Sequence, residues 1–165
     1  VMVPQVNTPE EAATVVEACR YHPDGRRGVA GVRAAAFGLV RPLHEYVRAA
    51  NAETLVIVQI ESISAVERLE EYLAIPGIDV LFVGPNDLAQ SMGYPGQPMH
   101  PEVQRVIDEI VQRVAGRLPL GTTAATPELV QRQLERGFRM LAANTTALLA
   151  AGARALLAAA GTAVQ

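Results

Sequence analysis

Two carboxylates in this sequence each stand directly after a short, strongly apolar segment. Residues 55–60 read Leu-Val-Ile-Val-Gln-Ile and lead into Glu61, while Val80–Val83 leads through a Gly-Pro-Asn turn into Asp87. The carboxyl ends of parallel strands meet at one rim, so consecutive strands would bring these carboxylates together. Such a pair, with coordination positions left for water or substrate, suits Mg²⁺ or Mn²⁺. The same spacing also fits a structural interpretation, in which both acids cap or open helices.

The turn before Asp87 has the composition of an anion site. A helix that begins there would offer free N–H groups to a carboxylate. Gly84 permits close approach of a ligand to the backbone, and Pro85 fixes the turn. By itself this signal is equally typical of an ordinary helix start.

The chain contains no lysine: its Lys and Arg total of 14 is made up entirely of arginine. A Schiff base requires a lysine amine, so carbonyl chemistry by this chain alone needs another electrophile, such as a metal ion. The three histidines favour structural or surface roles. His22 precedes a proline, His44 lies in a predicted helix, and His100 is predicted to be a helix N-cap.

Composition excludes several classes of function. A net charge of −3 and a pI near 5.6 give no electrostatic footprint for nucleic acid or an anionic membrane. Half of the residues are hydrophobic but only 4% are aromatic, so we expect an aliphatic core of strands and covering helices. The single Cys19 excludes an internal disulfide framework and fits a reducing compartment. No apolar run reaches the roughly 18 residues of a membrane span. We therefore expect a cytoplasmic protein.

The elements that must position the carboxylates alternate between apolar runs and amphipathic stretches. Thr8 with Glu11 and Ser64 with Glu67 have capping-box spacing and predict helix starts. Five strands are predicted, at residues 1–3, 55–60, 80–83, 118–122 and 138–142. Six helices are predicted. Five of them begin at residues 9, 42, 64, 101 and 127, and the last spans residues 146–160. This alternation indicates an α/β fold with a parallel sheet and a single domain over residues 1–165.

Six short motifs, in order and in register, resemble a known family: Val3-Pro4-Gln5-Val6, Arg27-Gly28-Val29, Val58-Gln59-Ile60-Glu61, Val83-Gly84-Pro85-Asn86-Asp87-Leu88, Met92-Gly93-Tyr94-Pro95-Gly96 and His100-Pro101-Glu102-Val103. The chain is similar to the class II, metal-dependent pyruvate aldolases of the 4-hydroxy-2-oxoheptanedioate aldolase family, within the citrate lyase β-subunit superfamily. The resemblance covers essentially the whole chain.

The resemblance implies a TIM (β/α)8-type barrel, of which this chain carries the C-terminal five βα units. It also implies a metal, Mg²⁺ or Mn²⁺ with Co²⁺ as a further option, held by Glu61 and Asp87. Gln59 would contact the pyruvate oxygens, and the turn Gly84, Pro85, Asn86 and Asp87 would receive the pyruvate carboxylate. Val29 and Thr123 would line the pocket at the methyl end. Thr123 and Asn86 both depart from the residues that the family usually has at these positions.

The implied activity is cleavage of 4-hydroxy-2-oxo acids, such as 4-hydroxy-2-oxoheptanedioate, to pyruvate and an aldehyde through a metal-stabilised pyruvate enolate. The family uses an Arg and a His from its first three strands, and neither has a matching motif here, so we expect those strands to be absent and assign no catalytic residue. Two alternatives stay open: a coenzyme A ester lyase of the same superfamily, and a truncated, non-catalytic metal-binding domain. A homo-oligomer, trimer or hexamer, is expected.

Overall fold

The computed structural model describes residues 1–161 and contains one parallel sheet of five β-strands. Their spatial order follows the chain: β1 Met2–Val3, β2 Ile57–Ile60, β3 Val80–Val83, β4 Leu120–Thr123 and β5 Met140–Ala142. Parallel neighbours need a crossover, and helices occupy all four crossovers. Sequential strand order with helical crossovers is the arrangement of barrel segments, so this part of the chain forms a TIM-type half-barrel. The predicted α/β class and strand number are confirmed.

Eight α-helices lie within the described residues: α1 Pro9–Cys19, α2 Leu43–Glu53, α3 Ile63–Glu67, α4 Leu69–Leu73, α5 Pro85–Ser91, α6 Pro101–Val114, α7 Pro127–Arg136 and α8 Thr145–Ala159. A 3-10 helix at Arg33–Gly38, which the sequence pattern did not predict, precedes α2. The segment from 63 to 73, predicted as a single helix, is two short helices that meet at Arg68.

The central strands β2 and β3 are largely buried on both faces, as near-continuous apolar strands of parallel sheets are. On one face Val58, Leu81 and Val83 are fully covered and pack with the helices in the main core. The alternate residues Ile57 and Phe82 belong to a second, smaller cluster on the opposite face. Since side chains alternate along a strand, this second face is the concave side of the half-barrel and also carries Gln59.

The helix starts show which capping predictions hold. Thr8 accepts a hydrogen bond from the Glu11 backbone N–H, and the Glu11 carboxylate returns to the Thr8 N–H, so the predicted capping box is present. The predicted box of Ser64 with Glu67 is wrong. Ser62 is the N-cap, since it keeps extended backbone angles directly after β2 and its Oγ accepts from the Ala65 N–H at 3.3 Å.

The remaining helix predictions hold with small shifts at their ends. α6 buries five of its apolar residues, and His100 caps it by accepting the Glu102 N–H on Nδ1 at 3.3 Å. α7 ends at Gly137, whose φ of 107° lies in the left-handed region. Cys19 is partly buried against the main core, as predicted. Strands β2, β4 and β5 each begin two residues later than predicted.

Helix α8 has no buried residue, although its sequence is rich in alanine and leucine. Leu149 and Leu156 are each 75% exposed, on a helix whose one charged residue is Arg154. Within residues 1–161, every helix is too short or too polar to cross a bilayer.

Candidate metal and substrate site

Glu61 stands at the carboxyl end of β2, one residue past the point where Ile60 pairs with Val83 of β3. It is only 6% exposed, which is low for a carboxylate. Its Oε2 accepts a hydrogen bond from the backbone N–H of Gln5 at 2.8 Å. Three strand ends therefore meet here, because Gln5 follows β1 just as Glu61 follows β2 and Gly84 follows β3.

Gly84 is the residue that lets the Glu61 side chain lie across the end of β3. A Cβ on Gly84 would stand 2.4 Å from Glu61 Oε1 and 2.8 Å from its Cγ. Its backbone angles, φ −94° and ψ 96°, are ordinary extended ones, so glycine is required here by space rather than by conformation. The Gly84 N–H donates to the Ile60 carbonyl at 3.3 Å, which joins the two strand ends.

Asp87 occupies the first turn of α5, which begins with Pro85 at its first position. The pKa of the Glu61 carboxyl is raised above its ordinary value, chiefly because burial penalises the charged form. The Asp87 charge raises the pKa of Glu61 further, while the Gln5 N–H opposes both effects. Asp87 itself is exposed, so it is the solvent-facing member of the pair.

The two carboxylates fit a hard divalent cation. A cation between them would offset the burial and like-charge effects that raise the pKa of Glu61. Within residues 1–161 no group of three His, Cys, Asp or Glu side chains is arranged to hold a metal. These residues therefore do not form a complete set of protein ligands of the kind found in structural zinc sites. Two oxygen ligands with open positions are instead the donor set of Mg²⁺, whose other ligands are water or substrate.

The other predicted site residues lie in two different places. Gln59 is half-buried on the concave side of β2, two residues before Glu61. Thr123 ends β4, and two residues beyond the Phe82–Gly121 pair the register sets it level with Gly84. Val29, in contrast, lies in the irregular segment between α1 and the 3-10 helix and is 55% exposed. The fold thus brings Gln59 and Thr123 to the strand ends where Glu61 lies, while Val29 is carried by a segment that follows no strand.

The turn from Gly84 to Asp87 leads directly into α5. Gly84 is the N-cap and provides no side-chain acceptor for the first backbone N–H groups of the helix. Pro85 and Asn86 occupy the first two positions of the helix, and Asn86 is exposed. The turn is also held from the neighbouring strand, because Thr122 Oγ1 donates to the Val83 carbonyl at 3.1 Å.

One residue of this rim was not predicted to have a role. Gln5 has a φ of 56°, in the left-handed region that residues other than glycine rarely occupy. Its backbone, rather than its side chain, contacts Glu61. Side-chain chemistry could not have identified it, and the sole sequence signal was its place in a motif that follows a strand.

A separate cleft lies at the amino ends of β4 and β5, lined among others by Leu118, Arg136 and Arg139. It is at the opposite end of the strands from Glu61. The carboxylate rim is therefore identified by its chemistry and position rather than by the depth of a cavity.

Comparison with known proteins gives a consistent result. The family model described as HpcH/HpaI aldolase/citrate lyase matches residues 1–153. A 4-hydroxy-2-oxovalerate aldolase of Rhodococcus jostii is 46% identical over 139 residues, which are 82% of this chain and 52% of that protein. A 2-keto-3-deoxy-L-rhamnonate aldolase of Klebsiella pneumoniae is 42% identical over 151 residues, 90% of this chain and 55% of that protein. The chain thus spans about half the length of the curated relatives it matches.

A solved structure has the same fold. The crystal structure of an HpcH/HpaI aldolase/citrate lyase family protein from Burkholderia cenocepacia superposes with a TM-score of 0.88 at 37% identity. The match covers 98% of this chain and 64% of that one.

Proposed function

Because the chain belongs to the HpcH/HpaI aldolase/citrate lyase family, we propose that it carries the metal- and carboxylate-binding part of an aldolase. The proposed reaction cleaves a 4-hydroxy-2-oxo acid, such as 4-hydroxy-2-oxoheptanedioate, to pyruvate and an aldehyde. The observation that carries the proposal is the meeting of Glu61 and Asp87 at adjacent strand ends. The names of the relatives support it, since an aldolase for 4-hydroxy-2-oxovalerate is among them.

In this proposal the strand ends bind and orient the substrate. Glu61 and Asp87 would hold Mg²⁺ or Mn²⁺, with Co²⁺ as another candidate. When bound, the cation would supply Lewis-acid polarisation of the keto group. Gln59 would donate its amide N–H to a pyruvate oxygen, and the N–H groups after Gly84 would receive the carboxylate. Breaking the C3–C4 bond leaves its electron pair on the pyruvate fragment. A base would take up the proton of the 4-hydroxyl as C4 becomes the aldehyde carbon, and a proton added at C3 would complete pyruvate.

Thr123 and Val29 are proposed to shape the region around the methyl end of pyruvate. Thr123 lies on the rim, level with Gly84, so its exposed side chain is well placed for this role. Val29 would reach the same region through the segment that follows α1. The exposed leucines of α8 favour a protein that covers them by self-association, and we propose a homo-oligomer, trimer or hexamer, which sedimentation analysis would test.

The test combines a binding and an activity measurement on this chain. Mn²⁺ binding is followed by the loss of the electron paramagnetic resonance signal of the free ion. Pyruvate release from 4-hydroxy-2-oxoheptanedioate is measured with EDTA and with added Mn²⁺. Glu61→Ala and Asp87→Ala are compared with Glu67→Ala, an exposed carboxylate at the end of α3.

We expect Glu61→Ala and Asp87→Ala to abolish both Mn²⁺ binding and metal-restored pyruvate release, and Glu67→Ala to leave both unchanged. Binding without pyruvate release would reject aldolase activity for this chain and leave a metal-binding domain. Turnover that requires acetyl-coenzyme A would instead identify a coenzyme A ester lyase. Absence of Mn²⁺ binding would overturn the assignment of Glu61 and Asp87.

A further inference from the structure

Gln5 holds an unfavourable backbone conformation at the rim where Glu61 lies. Its φ of 56° follows Pro4 and the short strand β1. A left-handed conformation in a residue other than glycine or asparagine is unfavourable and persists only when surrounding contacts enforce it. The hydrogen bonds around Gln5 therefore identify the contacts that hold this conformation.

The segment that follows Gln5 is fixed by hydrogen bonds on both sides. The Asn7 side chain donates to the Gln5 carbonyl at 3.1 Å. The Asn7 backbone N–H donates to Glu11 Oε2 at 2.8 Å, which connects the turn to the cap of α1. The buried Tyr72 hydroxyl donates to the Val6 carbonyl at 3.0 Å. The turn is consequently a rigid part of the scaffold rather than a free loop.

This rigid turn determines how the two oxygens of Glu61 are used. Oε2 accepts the Gln5 N–H at 2.8 Å. Oε1 lies against Gly84, so close that a Cβ there would stand 2.4 Å away. One oxygen is thus anchored to β1, and the other faces the turn that leads to Asp87.

We infer that Gln5 is the positioning residue of Glu61: its backbone amide anchors Oε2 and thereby presents Oε1 to the metal. The inference rests on the proposed function, in which Glu61 is a metal ligand. Hydrogen-bond partners fix the orientation of a metal ligand, and losing one costs roughly 10–100-fold in metal affinity. The Gln5 side chain has no part in this role.

A backbone amide is tested by replacing it with an ester, which removes the N–H and leaves the side chain unchanged. Cys19 is the sole cysteine, so residues 1–18 can be made as a synthetic peptide thioester and ligated to residues 19–165, giving all 165 residues without a substitution. The ester is placed at Gln5. The matched control is an ester at Asn7, whose N–H also donates at 2.8 Å, but to Glu11.

We expect the Gln5 ester to weaken Mn²⁺ binding by roughly 10–100-fold, while the Asn7 ester stays within about twofold of the all-amide chain. Thermal unfolding with EDTA is measured in parallel. Unchanged Mn²⁺ affinity in the Gln5 ester, or an equal loss in both esters, would overturn the positioning role and leave the metal site standing. Absence of Mn²⁺ binding by the all-amide chain would overturn both.

Side-chain variants give a second test. Gln5→Asn tolerates the left-handed conformation, whereas Gln5→Val opposes it because valine is β-branched. We expect Gln5→Asn to bind Mn²⁺ as the parent does and Gln5→Val to bind it at least tenfold more weakly. Ala36→Val introduces valine at another left-handed position, φ 47°, within the 3-10 helix. This control is expected to change thermal unfolding and to leave Mn²⁺ affinity unchanged. Equal Mn²⁺ affinity in Gln5→Val and Gln5→Asn would contradict the inference.

Discussion

Gly84→Ala is the smallest change that tests the carboxylate rim. The new Cβ would stand 2.4 Å from Glu61 Oε1, and real Cβ contacts essentially never fall below 3.0 Å. The oxygen must therefore move by about 0.6 Å, which is more than the roughly 0.2 Å tolerance of metal–ligand distances. Alanine accepts the backbone angles of Gly84, so the contact with Glu61 is the main effect.

The expected result is a loss of Mn²⁺ affinity of roughly 10–100-fold, the range for disturbing the support of a metal ligand. Glu61 cannot simply rotate away from the methyl group without giving up its bond to the Gln5 N–H. Mn²⁺ affinity is measured from the paramagnetic resonance of the free ion, and stability from thermal unfolding with EDTA present.

Gly121→Ala is the matched control. Its Cβ would stand 2.6 Å from Phe82 Cδ2, so it introduces a similar clash in the neighbouring strand, away from the carboxylates. We expect this variant to unfold at a lower temperature and to keep its Mn²⁺ affinity. If Gly84→Ala bound Mn²⁺ within about twofold of the parent, or no more weakly than Gly121→Ala, the assignment of Glu61 Oε1 to the metal would be refuted.

Three further changes follow from the same contacts. Burial raises the pKa of Glu61, so the folded chain loses stability as pH rises through that pKa and the carboxyl becomes charged. Glu61→Gln should therefore stabilise the metal-free chain at pH 7 but not at pH 3, as measured by thermal unfolding in EDTA. Tyr72→Phe should cost about 1–3 kcal/mol in urea unfolding, because it leaves the Val6 carbonyl unpaired, and a cost near zero would show that water replaces the hydroxyl. Arg20→Met should cost about 1.5–3 kcal/mol by removing the 2.7 Å bond to Asp79 and the bond to the Asn51 carbonyl. Asp79 directly precedes β3 at its amino end, opposite to Glu61, so a change in Mn²⁺ affinity would contradict this placement.

Local patterns in the sequence determined the class of fold and the ends of most elements. Apolar runs bounded by proline and glycine predicted five parallel strands, and the Thr8 and His100 caps were read correctly from residue type and spacing. These features depend on contacts within a few residues along the chain. The Ser64 cap failed for the same reason, because three consecutive positions offered two serines and only the end of β2 determined which one kept an extended backbone.

The order of strands on the rim also followed from the sequence. Adjacent strand ends are neighbours in any parallel sheet of sequential order, so Glu61 and Asp87 were predicted to meet before their surroundings were known. Gln59 and Thr123, which only the family resemblance implied as site residues, also lie at these strand ends, whereas Val29 follows no strand and lies between α1 and the 3-10 helix.

Tertiary structure alone decided how Glu61 is held. The 6% exposure of its side chain, the closeness of Oε1 to Gly84 and the bond from the Gln5 N–H join segments 56 and 23 residues away in the sequence. A backbone amide has the same chemistry at every residue, and the left-handed φ of Gln5 arises from contacts with α1 and Tyr72 rather than from any preference of glutamine. Residue type and spacing can therefore predict that Glu61 is a metal ligand. The direction of its two oxygens depends instead on which backbone N–H, distant in the sequence, the fold brings beside it.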